Sequence, residues 1–248
     1  MRRFEGRVAL VSGAAQGIGK AVAERLGAEG ATVVAVDIQG DGAAATAKAI
    51  GGKSFAHATD IGDPAAVAKL FAAVESKVGK LDVLVNVAAI VPFVKWDELT
   101  FEEWRRVMRV NLDGVFFTFR AAAKHMVERG KGGSLVAMAS TAAIEGAARS
   151  SHYGASKGGV TAMVRALAVE LARYKITANS ILPGWIETEM TANAFGNEKF
   201  AGNVMPRIPE RRWGVGADFG PIAVYLASGA TGYTTGRDFV IDGGYTLF

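Results

Sequence analysis

The chain has 248 residues, half of them hydrophobic, and a formal net charge of +4 that forms no basic block. That suffices for a sizeable α/β core and argues against a nucleic-acid footprint. With no cysteine and only three scattered histidines (His57, His125, His152), neither a disulfide framework nor thiolate chemistry is open to it, and no metal site is expected.

The N-terminus, MRRFEGRVALVSG, has too short an apolar run for a signal peptide or a membrane span, so a cytoplasmic protein is expected. From Val8 to Val11 an apolar run reads as a strand. A turn holding Gly13, Gly17 and Gly19 follows, and Ile18, Ala21, Val22 and Leu26 then recur at helical spacing. A second strand, Val33 to Val36, ends on Asp37. Strand, glycine turn, helix and strand with a terminal carboxylate suit a dinucleotide: glycines let the backbone approach a pyrophosphate, the helix N-terminus attracts the anion, and the carboxylate accepts from ribose hydroxyls. The spacing is wrong for a P-loop, since Ala21 follows Gly19-Lys20 where Ser or Thr is required.

Residues 39 to 53 suggest a helix, and Ser54 to Ala58 a short strand with Asp60 beyond its end. Asp63-Pro64 marks a helix start, and Val67, Leu70, Phe71, Val74 and Val78 give the stripe of that helix. Leu81 to Val87 reads as a central strand. Thr100 to Glu103 reads as a capping box opening a long helix that runs through Asn111 to Phe119. A further strand, Leu135 to Ala139, ends at Ser140. Then comes a helix carrying Tyr153 and Lys157, four residues apart and so on one face, where an ammonium would favour the phenolate. Ile176 to Leu182 is another strand, a final helix spans Ile222 to Ala227, and a last strand spans Asp238 to Asp242. This alternation predicts one doubly wound α/β domain over 1–248, with a parallel sheet of about seven strands and helices on both faces. Residues 189–213 show no periodicity, are too apolar for disorder, and are expected to form a lid over a substrate.

Taken together, Ser12-Gly13 through Gly17-Ile18-Gly19, Asp60, Asn86, Asn111, Ser140, Tyr153, Lys157, and Pro183-Gly184 with Thr188 resemble the short-chain dehydrogenase/reductase family over essentially the whole chain. The resemblance implies a Rossmann-type fold and hydride transfer between a nicotinamide and a small-molecule alcohol or ketone. It makes Tyr153 the proton donor or acceptor, Ser140 a hydrogen-bond partner of the substrate oxygen, Lys157 a ribose ligand that lowers the tyrosine pKa, and Asn111 the holder of a relay water. Cofactor contacts are implied at Gly13, Gln16, Gly17, Ile18, Gly19, Asp37, Ile38, Asp60, Ile61, Asn86, Ala88, Tyr153, Lys157, Pro183, Gly184, Ile186 and Thr188. Two departures stand out. Val87 and Ala89 replace the more frequent Asn and Gly after the fourth strand, while Ser12 keeps the hydroxyl of a frequent threonine.

Asp37 favours a free 2′-hydroxyl over a phosphate, and Gln16 is neutral, so NAD is the expected cofactor. The alternatives are an NADPH-dependent 3-oxoacyl reductase and a non-catalytic dinucleotide sensor or scaffold. No nucleic-acid or membrane partner is expected. A homo-oligomer is, because Gly158, Ala162, Ala166 and Val169 form a second stripe on the Tyr153 helix and the helix of Phe116 and Phe117 is apolar nearly all round; the family resemblance implies that it is a homotetramer. For the substrate pocket, Phe93, Trp96, Ile144, His152, Trp185, Met190, Phe195 and Phe200 suggest a bulky, largely hydrophobic secondary alcohol or ketone. No arginine pair forms an obvious clamp, although Arg149, Arg207, Arg211 and Arg212 are near enough in sequence to swing in, and Glu145 or His152 to meet a polar substituent.

Overall fold

A computed structural model describes residues 2–189, 191–230 and 232–247; Met190, named above as a wall residue, lies outside them. The apolar runs become strands β1 (Val8–Ser12), β2 (Thr32–Asp37), β3 (Phe55–Ala58), β4 (Val83–Asn86), β5 (Gly133–Met138), β6 (Ile176–Pro183) and β7 (Asp238–Ile241). They form one parallel sheet in the order β3-β2-β1-β4-β5-β6-β7. All five residues of β1 are buried, because successive side chains enter opposite hydrophobic layers. Ala9 and Val11 pack with helices α1 (Gly17–Ala28), α2 (Gly40–Ile50) and α9 (Gly220–Ala227). Val8 and Leu10 pack with α3 (Pro64–Val78), α5 (Gly114–Arg129) and α6 (Ser151–Leu171). A fully buried side chain such as Leu10 contributes roughly 1.5–3 kcal/mol through removal of apolar surface from water.

The helix opening at Asp63 is as the sequence reads: the Asp63 carboxylate accepts from Ala65 N at 2.9 Å, and α3 ends at Gly79 in the left-handed conformation. Two other expectations are corrected. The capping box is only half made. Thr100 Oγ1 accepts from Glu103 N, but the Glu103 carboxylate turns away to a two-pronged ion pair with Arg106 at 2.7 and 2.8 Å. The long helix is also interrupted, with a π turn at Arg109–Asp113 separating α4 (Phe101–Met108) from α5 and carrying Asn111.

Within 189–213 the chain folds into short helices that periodicity could not register, α7 (Ala192–Phe195) and α8 (Glu198–Val204), and a 3₁₀ turn at Met205–Arg207. They close over a small apolar cluster in which buried Val204, Ile208 and Tyr245 pack with Trp185, Phe200 and Trp213. Among the described residues no helix is long and apolar enough to cross a membrane.

Candidate active site

Strands β1 and β4 are hydrogen-bonded neighbours, yet the chain reaches β4 only after crossing to β2 and β3 on the other side. A crevice therefore opens beyond the carboxyl ends of the strands. Here it is a cleft of about 650 Å³. Its floor is the glycine turn, which only glycine can build. A Cβ on Gly13 (φ 70°) would stand 2.8 Å from Ala88 N, and one on Gly19 would stand 2.0 Å from the Gly13 carbonyl oxygen. Ser12 ties the two loops together, its Oγ accepting from Val87 N at 3.0 Å and Ala88 N at 3.2 Å. Thus the hydroxyl at position 12 does the knitting across from the apolar Val87. No side chain caps α1, and its first residues, Gly17 to Gly19, border the crevice.

The Asp37 carboxylate borders the same space and is fixed by two backbone donors, Ala15 N and Gln39 N, each at 3.0 Å. It therefore both braces the glycine turn and presents negative charge to the cleft. Asp60 lies beyond β3 and accepts from Gly62 N at 2.9 Å and Arg109 at 2.8 Å. Desolvation pushes its carboxyl up, but the Arg109 guanidinium and the Gly62 N–H outweigh this and hold it below the usual range. Arg109 also lines the cleft and escaped the sequence reading. Its partner lies 49 residues away, and only the fold brings them together.

Ser140, Tyr153 and Lys157 converge on the other end of the cleft. The Ser140 Oγ accepts from Ala142 N at 3.1 Å at the carboxyl end of β5, while Tyr153 and Lys157 project from the first turns of α6. Lys157 is buried, donates to the Met138 carbonyl at 2.7 Å, and places its ammonium 5.7 Å from the centre of the Tyr153 ring. Burial pushes the Tyr153 phenol up from its ordinary value, and the Ser140 hydrogen bond pulls against that. Burial also lowers Lys157 from 10.5 to about 7, against the stabilisation that its hydrogen bond to Met138 gives the ammonium.

Of the other residues grouped by the sequence, Gln16, Gly17, Ile18, Ile38, Ile61, Ala88, Pro183, Gly184, Ile186 and Thr188 all border the cleft. Asn86 and Asn111 do not. Asn86 is buried at the end of the central strand β4, where its Nδ2 donates to Thr118 Oγ1 at 2.7 Å. Asn111 is fully buried, and its amide is spent on both backbone groups of Ile90, each at 2.9 Å, and on Ser156 Oγ at 3.2 Å. Its side chain braces the loop after β4. The aromatic wall also divides: Phe93 and Trp185 border the cleft, but Trp96, Ile144, His152 and Phe195 do not. His152 is wholly buried with both ring nitrogens unpartnered, and desolvation lowers its pKa.

A family model described as enoyl-(acyl carrier protein) reductase matches residues 13–246. A D-threitol dehydrogenase of Mycolicibacterium smegmatis is 38% identical over 99% of this chain and 95% of its own. The chain is a short-chain dehydrogenase/reductase. Another member of the family, an NADP-dependent (R)-specific alcohol dehydrogenase of Lentilactobacillus kefiri, is 36% identical over 98% of each chain. The crystal structure of a short-chain type dehydrogenase/reductase from Mycobacterium marinum superposes with a TM-score of 0.94 at 35% identity, covering 99% of this chain and 97% of that one. Among short-chain dehydrogenase/reductases, then, this chain is an oxidoreductase of the nicotinamide-dependent kind, with a seven-stranded parallel Rossmann sheet.

Proposed function

We propose that this short-chain dehydrogenase/reductase is an NAD(H)-dependent dehydrogenase of bulky secondary alcohols, or a reductase of the matching ketones. The observation that carries the reading is one cleft holding the Asp37 carboxylate at one end and Ser140, Tyr153 and Lys157 at the other. The cradle fits a dinucleotide, because a Cβ on Gly13 or Gly19 would collide with the opposing backbone. Gly13 through Gly19 and the α1 N-terminus would receive the pyrophosphate, Asp37 the adenosine ribose, and Lys157 the nicotinamide ribose. The nicotinamide supplies the hydride acceptor or donor when bound.

The chain's own groups supply the proton chemistry. Ser140 Oγ and the Tyr153 hydroxyl hold the substrate oxygen. In oxidation Tyr153 accepts the hydroxyl proton, and in reduction it returns one to the nascent alkoxide. Lys157, 5.7 Å from the centre of the Tyr153 ring, would favour the phenolate through its charge. Asn111 works through Ile90, keeping the β4 loop in place. NAD is favoured over NADP because Asp37 is a fixed anion where a 2′-phosphate would stand, although the Lentilactobacillus relative is named as NADP-dependent. Ile90, Val91, Phe93 and Trp185 make the reaction end mainly apolar.

The test is a panel of cyclic, aromatic, acyl-thioester and sugar-like alcohols and ketones, followed by nicotinamide absorbance with each cofactor. Preference for apolar secondary alcohols with NAD supports the reading. Preference for polyols, as the threitol dehydrogenase name invites, would overturn the apolar pocket. Acyl thioesters with NADPH would favour the 3-oxoacyl reductase, and dinucleotide binding without turnover of any substrate would favour the sensor.

A further inference from the structure

Beside the reaction cleft lies a second chamber of about 480 Å³, and the two share Phe93, Glu145, Ala147 and Trp185 as common walls. The rest of its wall includes Phe200 and Tyr245, with Arg149 and Arg207 as its cations.

The structure sorts the four arginines that surround the substrate segments. Arg212 is committed to a two-pronged pair with Asp218 at 2.8 and 2.9 Å, and Arg211 donates to the Pro206 carbonyl at 2.7 Å. Arg207 is held differently. One nitrogen donates to the Tyr245 hydroxyl at 2.7 Å while the guanidinium lies 4.3 Å from the centre of that ring, so the group is oriented but not neutralised. Among the described residues neither Arg207 nor Arg149 has a carboxylate within ion-pair distance. Arg149 also sits at φ 64°, a backbone conformation costly for a residue with a side chain, and its carbonyl is pinned there by Val94 N at 2.9 Å. Arg149 and Arg207, both exposed and neither in an ion pair among the described residues, thus line with one anion, Glu145, an aromatic chamber that shares walls with the reaction cleft.

We propose that this side chamber receives a carboxylate at the far end of the substrate, bound by Arg207 with Arg149, while the apolar body of the substrate spans the shared walls. The substrate class is then a secondary alcohol or ketone with an apolar body and a terminal acid. This rests on the reaction proposed above and adds the polar end that an all-apolar pocket lacks. A planar guanidinium steadied on an aromatic face is suited to a carboxylate, which it meets with two parallel N–H groups.

The experiment compares hydroxy acids bearing the alcohol one carbon from the chain end, from four to ten carbons, with their methyl esters, using NAD. The acid is expected to exceed its ester in kcat/KM by tenfold or more at one preferred chain length. Arg207→Gln should bring that ratio near unity through KM, Arg207→Lys should restore part of it, and Glu145→Gln should raise it. Acids no better than esters at every length, or an Arg207→Gln that lowers both alike and leaves the ratio intact, would overturn the proposal.

A second measurement separates it from the proposed reaction. Binding of 4-phenylbutyrate and of its amide to the protein–NADH complex, read by nicotinamide fluorescence, needs no turnover. Tighter binding of the acid, lost in Arg207→Gln, supports the chamber even if no alcohol in the series reacts. Equal binding of acid and amide refutes it even if the dehydrogenase reaction is confirmed.

Discussion

At the scale of single residues the catalytic end of the cleft makes the sharpest demands. Tyr153→Phe keeps the ring and removes only the transferable proton, so turnover should fall by about 10²–10⁴-fold while NADH binding, read by fluorescence, holds. Asp37→Asn retains an acceptor that can brace the glycine turn but removes the charge. It should narrow the preference for NAD over NADP by roughly 10–100-fold in kcat/KM, whereas Asp37→Ala would also loosen the Ala15 contact. Lys157 bears on stability as well as catalysis. An unfolded chain keeps its lysine proton up to about 10.5, but the folded site releases it near 7. Between those values the unfolded state binds more protons, so stability rises with pH across the window, and below pH 7 the full penalty for a buried ammonium remains. At about 1.4 kcal/mol per pH unit that penalty approaches roughly 5 kcal/mol. Lys157→Met should therefore be inactive yet melt higher than the parent at pH 6.5, by thermal unfolding followed in circular dichroism, with the gap closing towards pH 10. A variant that melts lower at pH 6.5 would show that the Met138 hydrogen bond outweighs desolvation.

At the scale of elements, what was legible in the sequence is what depends on short-range pattern. Apolar runs placed the strands, and turn chemistry placed Gly13 and Gly19. Chain order alone then put Asp37 and Ser140 at strand ends that border one cleft. What was hidden depends on partners distant in sequence. The apolar stripe from Trp104 to Phe119 reads as one helix, and nothing in its periodicity announces the π turn at Arg109–Asp113. Nor does composition reveal that Asn111 and Asn86 turn inward to Ile90 and Thr118, or that Arg109 holds Asp60. The side chamber was equally hidden, since Arg207 acquires its place from Tyr245, 38 residues further on. The π turn invites its own test. Asn111→Ala strands the buried N–H and C=O of Ile90, which should cost about 2–4 kcal/mol in stability and lower kcat by releasing the β4 loop. Asn111→Asp keeps one acceptor for Ile90 N and should behave better at low pH, when its acid can donate; equal damage from both substitutions at every pH would remove the positioning role.

At the scale of the whole molecule, the surface of α5 and α6 is what the fold leaves unfinished. The inward stripe of α6 (Val160, Val164, Ala168) is buried against the sheet, but Ala162, Ala166 and Val169 on its outer side are exposed, and Val169 is 83% accessible. On α5, Phe116 is 45% accessible beside Phe117. A single exposed apolar residue is ordinary, but small side chains at helical spacing let a second helix approach closely, and neighbouring phenylalanines gain by being covered. A two-fold axis beside these helices would bring each face against its own copy and close a dimer, which a second interface would pair into a tetramer. The expected species is a homotetramer, with this face supplying one of its interfaces, measured by light scattering at micromolar concentration. Val169→Asp places like charges across such an axis and should shift the population to smaller species while the monomer fold, judged by circular dichroism, persists. A parent protein that is monomeric under these conditions, or a Val169→Asp variant that keeps the parent's mass, would remove this face from the assembly.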